Sequence, residues 1–302
     1  MRNELITFVS PKTQISEVFR TLRTNIQFMN VDGNLKSLLV TSTVPAEGKS
    51  WVSANLAITF AQAGKRVLIV DSDMRKGRQH EIFELKNTKG LSNYLIMTTK
   101  ESGLESIGEY IQNTIIDNLY VMTSGVVPPN PSELLTSQKM VDLIKYLEKI
   151  FDIIIFDGTP STIVTDAIIL SKFVNTTLIV AAHKITKIDN LNQVKRNIIN
   201  VGGKIAGVVF NKVPTVKKRG KSGYYYESSI STANKNGNKL LDKFTKKIAP
   251  VKHVEESEIK EVKKKLNSVD VENESKAQKN EDIDINAVLK QLSQYLTEND
   301  KK

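Results

Sequence analysis

The apolar run Leu38-Leu39-Val40 leads through a short polar loop, Thr43-Val44-Pro45-Ala46-Glu47-Gly48, into Lys49-Ser50. A helical pattern follows at once in Trp51, Ala54, Leu56, Ala57, Phe60 and Ala61. Buried strand, loop of phosphate size and helix, in that order, are the setting in which Gly-Lys-Ser reads as a phosphate loop. Backbone N–H groups at the helix N-terminus aim at a bound anion, and the helix dipole favours its charge. Lys49 then reaches the β- and γ-phosphates, and the Ser50 hydroxyl sits on Mg²⁺. The full pattern asks for glycine at position 43, where this chain has Thr43, and Ala46 stands where a second glycine would ease the turn. On the loop alone, a helix N-terminus with a fortuitous Lys-Ser stays open.

Two further apolar strands discharge into carboxylates. Val67-Leu68-Ile69-Val70 ends on Asp71-Ser72-Asp73, and Ile153-Ile154-Ile155-Phe156 ends on Asp157. Ligands of open parallel sheets bind at such C-terminal strand ends. Beside a phosphate loop, Asp71 and Asp73 can hold Mg²⁺ water or take a proton from an attacking hydroxyl, and Asp157 reads as a Walker-B residue reaching the Mg²⁺ shell. Each Asp alone could as well cap a helix or end a strand. Together with Gly48-Lys49-Ser50 they form a much stronger set.

Around these segments the chain alternates strand and helix. Ile15, Val18, Phe19, Leu22 and Ile26 recur at helical spacing, with Glu17, Arg20 and Arg23 on the opposite side. That charged face reads either as a solvated, salt-bridged surface or as a contact between subunits. A helical piece begins at Gly90-Leu91, a strand spans 118–123, and Ser132 opens a helix that runs to about Ile150 after the turn-rich Pro128-Pro129-Asn130-Pro131. Strands at 176–181 and 206–211 flank a helix across about 187–201. The alternation predicts an α/β domain, a mostly parallel sheet with helices on both faces, ending near Val213-Pro214.

Composition removes other classes. The chain has no cysteine, so disulfides and thiolate metal sites are out, and His80, His183 and His253 lack ligand spacing for zinc. No apolar run approaches the roughly 20 residues that span a bilayer, and no signal peptide is visible, so a soluble cytoplasmic protein is expected. The formal charge of +10 gathers in one place: residues 212–253 carry eleven Lys/Arg against two acids. Basicity confined to a polar tail is a weak sign of nucleic acid, and no specific nucleic-acid partner is expected. Within it, Tyr224, Tyr225 and Tyr226 follow Lys217-Lys218-Arg219-Gly220-Lys221, and three adjacent tyrosines cannot share one face of a regular element. The division expected is a domain over 1–214, a basic tyrosine segment over 215–230, and a mostly disordered or transiently helical tail over 231–302.

From about Ser10 to Val213 the chain resembles the bacterial tyrosine kinases (BY-kinases), specifically the separate cytoplasmic capsular and exopolysaccharide kinase of Firmicutes. The resemblance rests on Glu17-x-x-Arg20-x-x-Arg23-Thr24-Asn25, Pro45-x-Glu47-Gly48-Lys49-Ser50, Asn55-Leu56-Ala57 and Asp71-x-Asp73-Met74-Arg75. It continues through Asn130-Pro131-x-Glu133-Leu134-Leu135, the Asp157 strand, Thr165-Asp166 and the tyrosine cluster. The chain departs from the family's pattern at Ala46 and Gly77, where glycine and proline are usual, and at Gly158-Thr159-Pro160, where Thr-Pro-Pro is usual. It also continues well past Tyr226.

The resemblance implies a P-loop NTPase of the deviant-Walker, MinD/ParA-like kind, using ATP and Mg²⁺ to phosphorylate protein tyrosines. Lys49, Asp71, Asp73 and Asp157 take the catalytic positions, Asp71 being the candidate acceptor of the tyrosine proton. Pro45, Ala46, Glu47, Gly48, Lys49, Ser50 and Trp51 line the ATP site, and Asn211 falls where relatives contact adenine, although as a residue it reads equally as a turn Asn. Ser50, Asp71 and Asp157 are the implied Mg²⁺ positions. Glu17, Arg20 and Arg23 match the motif that assembles rings, and Tyr224, Tyr225 and Tyr226 the autophosphorylated cluster. The implied partners are its own copies, protein tyrosine substrates, and the cytoplasmic segment of a membrane adaptor of the polysaccharide co-polymerase type. Two other readings stand beside this one: a ParA/MinD-like ATPase switch, which would place a second lysine at the Val44 position, and a non-catalytic nucleotide-gated scaffold.

Overall fold

In the computed structural model, the apolar run around Leu39 forms β1 (Ser37–Ser42), an interior strand of a seven-stranded sheet. The structure describes residues 4–29, 35–97 and 104–214; the tyrosine cluster and the tail lie outside them. The strands following β1 are β2 (Val67–Asp71), β3 (Gln112–Asn113), β4 (Leu119–Met122), β5 (Ile153–Pro160), β6 (Thr176–Ala182) and β7 (Ile205–Asn211). Their order across the sheet is β3-β4-β2-β5-β1-β6-β7, and every pairing is parallel except the β3–β4 edge.

The helices are α1 (Ile6–Val9), α2 (Gln14–Phe28), α3 (Lys49–Gln62), α4 (Gln79–Ile82), α5 (Leu91–Ile96), α6 (Pro131–Thr136), α7 (Gln138–Ile150), α8 (Asp166–Ser171) and α9 (Ile188–Asn200). Successive strand residues feed opposite layers, as the pleat requires. Leu38, Val40, Val67, Ile69, Ile153 and Ile155 pack with α2 and α3, whereas Leu39, Leu68, Val70, Ile154 and Phe156 pack with α5, α6, α7 and α8. Because both faces are covered, the central strands are buried at every position and carry unbroken apolar runs, Leu38-Leu39-Val40 in β1 and Val67-Leu68-Ile69-Val70 in β2. A smaller cluster of Ile179, Leu191, Val194 and Ile198 seats α9. No helix among the described residues is long and apolar enough to cross a membrane.

Three local features depart from the sequence reading. The single helix expected from Ser132 to Ile150 is two, because Ser137 leaves helical geometry (ψ 149°) and its side chain caps α7 by accepting from Met140 N–H. On α2 the buried positions are Ser16, Phe19 and Ile26, while Ile15 and Val18 are exposed at 43% and 62%. Short elements with too few residues for a periodic signal, namely α1, α4, α8 and β3, were not anticipated. Of these, α1 is tied down by Asn55 of α3, whose Oδ1 accepts from Thr7 N–H at 3.0 Å and from Thr7 Oγ1 at 2.9 Å.

Candidate active site

The loop between β1 and α3 is shaped by its own glutamate. The buried Glu47 carboxylate accepts from Thr43 N–H at 2.6 Å, Thr43 Oγ1 at 2.7 Å and Val44 N–H at 3.1 Å. It also accepts from Thr186 Oγ1, beyond β6. Thr43, the missing first glycine, thus earns its place as a donor to Glu47. Gly48 caps α3 in the left-handed region (φ 99°), and a Cβ there would come within 2.2 Å of Asn211 Nδ2. Ala46 is also left-handed (φ 65°), a conformation that costs an L-residue about 1–2 kcal/mol.

Two side chains at the end of β7, its last residue Asn211 and the next, Lys212, hold this strained corner. Asn211 Nδ2 donates to the Glu47 carbonyl at 2.9 Å, and Lys212 Nζ donates to the Ala46 carbonyl at 2.6 Å. In a trans peptide the C=O and N–H point opposite ways, so anchoring these carbonyls turns the N–H groups of Glu47 and Gly48 in the other direction. Asn211, matched to adenine contact, is engaged with the loop backbone and also accepts from Lys212 N–H at 2.8 Å. The Trp51 ring packs edge-on against Phe19 of α2 at 5.1 Å, which leaves its backbone N–H, in the first turn of α3, as its contribution to a phosphate site.

Lys49 opens α3 and is only 9% exposed. Its Nζ lies 3.0 Å from Asp73 Oδ2, 3.6 Å from Asp157 Oδ1 and 3.3 Å from Ser50 Oγ. The structure therefore brings Lys49, Ser50, Asp73 and Asp157 together at one edge of the sheet. Asp71 joins them as the register partner of Asp157 across β2 and β5. Burial pulls the Lys49 ammonium down, but Asp157, Asp73 and Asp71 outweigh it, and the net shift is upward from 10.5. Burial drives Asp71 the same way as neighbouring Asp157 does, and its carboxyl is pushed up from 3.8 to about 8 despite Lys49 and the Gln79 N–H.

Among the described residues, no three His, Cys, Asp or Glu side chains converge into a metal cage of their own. Mg²⁺ does not need one: it keeps several waters and binds through one or two carboxylates plus substrate phosphates. The oxygens of Ser50, Asp71 and Asp157 beside an anion loop fit that requirement.

The family described as AAA domain matches residues 46–206. CapB of Staphylococcus aureus, assigned to the tyrosine-protein kinases, is 44% identical over 217 residues, which are 72% of this chain and 91% of CapB. The tyrosine-protein kinase YwqD of Bacillus subtilis is 38% identical over 225 residues, covering 74% of this chain and 92% of YwqD. The chain belongs to the bacterial tyrosine kinases. Among solved structures, the chimerical protein CapA2B2 superposes with a TM-score of 0.65 at 41% identity, covering 71% of this chain and 92% of that one.

Other family positions fall as follows. Glu17 and Arg20 pair with each other on the exposed side of α2, and Arg20 also donates to the Pro11 carbonyl at 2.5 Å. Arg23 turns inward, with Nη1 donating to the Thr59 carbonyl of α3 at 2.7 Å. The three thus do not form one free face. Gly77 has a spatial reason: a Cβ there would come within 2.7 Å of Asp71 Oδ2 and 2.3 Å of Ser124 Oγ.

Two further groups, given no role in the sequence, support the site. Arg75 grips the buried Asp166 from the start of α8, Nε donating to Oδ2 at 2.8 Å and Nη2 to Oδ1 at 3.2 Å, and Ser132 Oγ donates to the same Oδ1 at 2.5 Å. The hydrogen bonds that Arg75 donates to Asp166, with the carboxylate's charge, hold its guanidinium above its ordinary value. Gln79, fully buried, donates from Nε2 to Asp157 Oδ2 at 2.8 Å and from its backbone N–H to Asp71 Oδ2 at 2.9 Å. Arg75 and Asp166 were legible as motif letters; Gln79 carried no signal.

Proposed function

We propose that this chain is a Mg²⁺·ATP-dependent protein-tyrosine kinase that phosphorylates its own Tyr224, Tyr225 and Tyr226 between subunits of a ring. The observation that carries the reading is the Lys49 ammonium, held 3.0 Å from Asp73 and 3.6 Å from Asp157 at the head of a helix capped by a left-handed Gly48. In use, Lys49 exchanges these carboxylates for the β- and γ-phosphate oxygens, and the loop N–H groups orient the polyphosphate. The tyrosine oxygen forms a bond to the γ-phosphorus as the bond to the β–γ bridging oxygen breaks, ADP leaves, and the phenolic proton passes to Asp71. A divalent cation held by Ser50, Asp157 and the phosphates would neutralise developing charge and favour the ionised form of Asp71.

Residues 1–214 make up the kinase domain in this reading, 215–230 the acceptor segment and 231–302 a tail. Glu17, Arg20 and Arg23 serve the ring contact. The kinase acts in the cytoplasm, at the inner face of the membrane, with the cytoplasmic segment of a polysaccharide co-polymerase-type adaptor, and regulates capsular or exopolysaccharide synthesis. The family membership supports this, as does the 41% identity to the chimerical protein CapA2B2. Lys49→Met tests the chemistry: purified with ATP and Mg²⁺, it is expected to lose phosphotyrosine while keeping its fold. Undiminished phosphotyrosine in that variant overturns the assignment.

A further inference from the structure

Gln79 touches three members of the proposed nucleotide site without belonging to any of its motifs. It is fully buried at the first residue of α4. Its Nε2 bonds both Asp157 Oδ2 at 2.8 Å and the Ser50 carbonyl at 3.1 Å, and its backbone N–H bonds Asp71 Oδ2 at 2.9 Å. One residue therefore fixes an oxygen of each facing carboxylate and the first turn of α3. On Asp157 the other oxygen, Oδ1, is left to Lys49 and to Ser53 Oγ at 3.4 Å.

The remaining polar atom of the side chain is the telling one. Gln79 Oε1 is buried and has no hydrogen-bond partner. A carbonyl oxygen orphaned in a protein interior is costly and calls for a donor. Within the carboxamide, Oε1 sits beside the Nε2 that bonds Asp157, and neither the Lys49 ammonium nor the Ser50 and Ser53 hydroxyls of the cluster donate to it. The water shell that Mg²⁺ retains consists of donors, polarised by the metal. Outer-shell partners of this kind orient the ligands of a metal and tune its affinity.

We propose that Gln79 is a positioning residue of the cation site: its amide and backbone N–H groups set the rotamers of Asp157 and Asp71, and its Oε1 accepts from cation-bound water. This rests on the Mg²⁺·nucleotide reading given above. The Gln79→Met variant keeps the volume and removes both polar ends. ADP affinity is measured by calorimetry for wild type and variant, once with Mg²⁺ and once with chelator, alongside thermal midpoints.

For the wild type, Mg²⁺ should tighten ADP binding. For Gln79→Met that gain should shrink by about ten- to a hundredfold, with chelator-side ADP affinity retained. Gln79→Asn, which keeps the carboxamide but withdraws it by one methylene, should fall between the two, and it stands in if Gln79→Met does not fold. An unchanged Mg²⁺ gain in a folded variant overturns the role of Gln79 alone. Equal loss with and without Mg²⁺ also overturns it, since that marks a merely structural residue. No Mg²⁺ gain in the wild type brings down the nucleotide-metal reading and this inference with it.

Discussion

Asp71 and Asp157 are register partners on adjacent parallel strands, each fully buried, with Gln79 bonded to one oxygen of both. Two carboxylates so placed cannot both ionise freely without a cation between them. Burial and Asp157 raise Asp71 from 3.8 to about 8, so the folded chain holds a proton there that the unfolded chain releases. Between those two values the native state binds more protons, and stability must fall as pH rises. In metal-free, nucleotide-free protein, the urea midpoint is expected to drop from pH 5 to pH 8. Asp71→Asn, always neutral, should flatten that slope, and parallel profiles would show that Asp71 carries no such proton.

The left-handed Ala46, its carbonyl held by Lys212, gives a coupled pair. Ala46→Gly should raise stability by at most about 1 kcal/mol, because the relief of strain is partly offset by the freer unfolded chain. Lys212→Met should weaken ADP binding about two- to tenfold, the worth of one hydrogen bond. With glycine at 46 the loop reaches its geometry unaided, so the second change should then cost less. Calorimetry on all four proteins closes the cycle, and strictly additive effects would dissociate Lys212 from the strain.

Glu17, Arg20 and Arg23 do not stand in equivalent surroundings, and their variants should separate. Arg23→Ala removes a charged donor from the Thr59 carbonyl and should lower monomer stability by about 1.5–3 kcal/mol. Glu17→Ala and Arg20→Ala break an exposed pair and should leave the thermal midpoint near that of the wild type. Light scattering then reads assembly: smaller particles in these two stable variants support a subunit contact, and unchanged size returns the pair to ordinary surface.

The Arg75–Asp166 clamp is lopsided, with side-chain exposures of 40% and 1%. Arg75→Met strands a buried carboxylate and should cost about 3 kcal/mol, whereas Asp166→Asn leaves the arginine within reach of water and should cost roughly 1 kcal/mol. Denaturant melts of both compare them directly. Equal losses would mean that Asp166 is stabilised chiefly by Ser132.

Most of the fold is written in local pattern. Apolar runs of strand length, periodic helices and their turn residues mark β1, β2, β4 to β7, α2, α3, α5 and α9 in the sequence. Lys49 was readable because it opens a helix, and Asp71, Asp73 and Asp157 because an apolar run of strand length leads into each, although β5 continues past Asp157 to Pro160. Elements of a few residues, such as α4, span too little chain to show a period. The exposure of Ile15 and Val18 was equally hidden, because amphipathic spacing names a stripe but not which part of it another helix covers.

What only the tertiary structure decided is which distant residues meet. Setting β5 between β1 and β2 makes Asp71 and Asp157 neighbours although their numbers differ by 86. Gln79 reaches Asp157 across 78 positions, Arg75 reaches Asp166 across 91, and Lys212 reaches Ala46 across 166. Local preference is a property of adjacent dihedrals and is therefore visible in the letters. A hydrogen bond between remote side chains depends on strand order and packing, which the sequence specifies only through the whole fold.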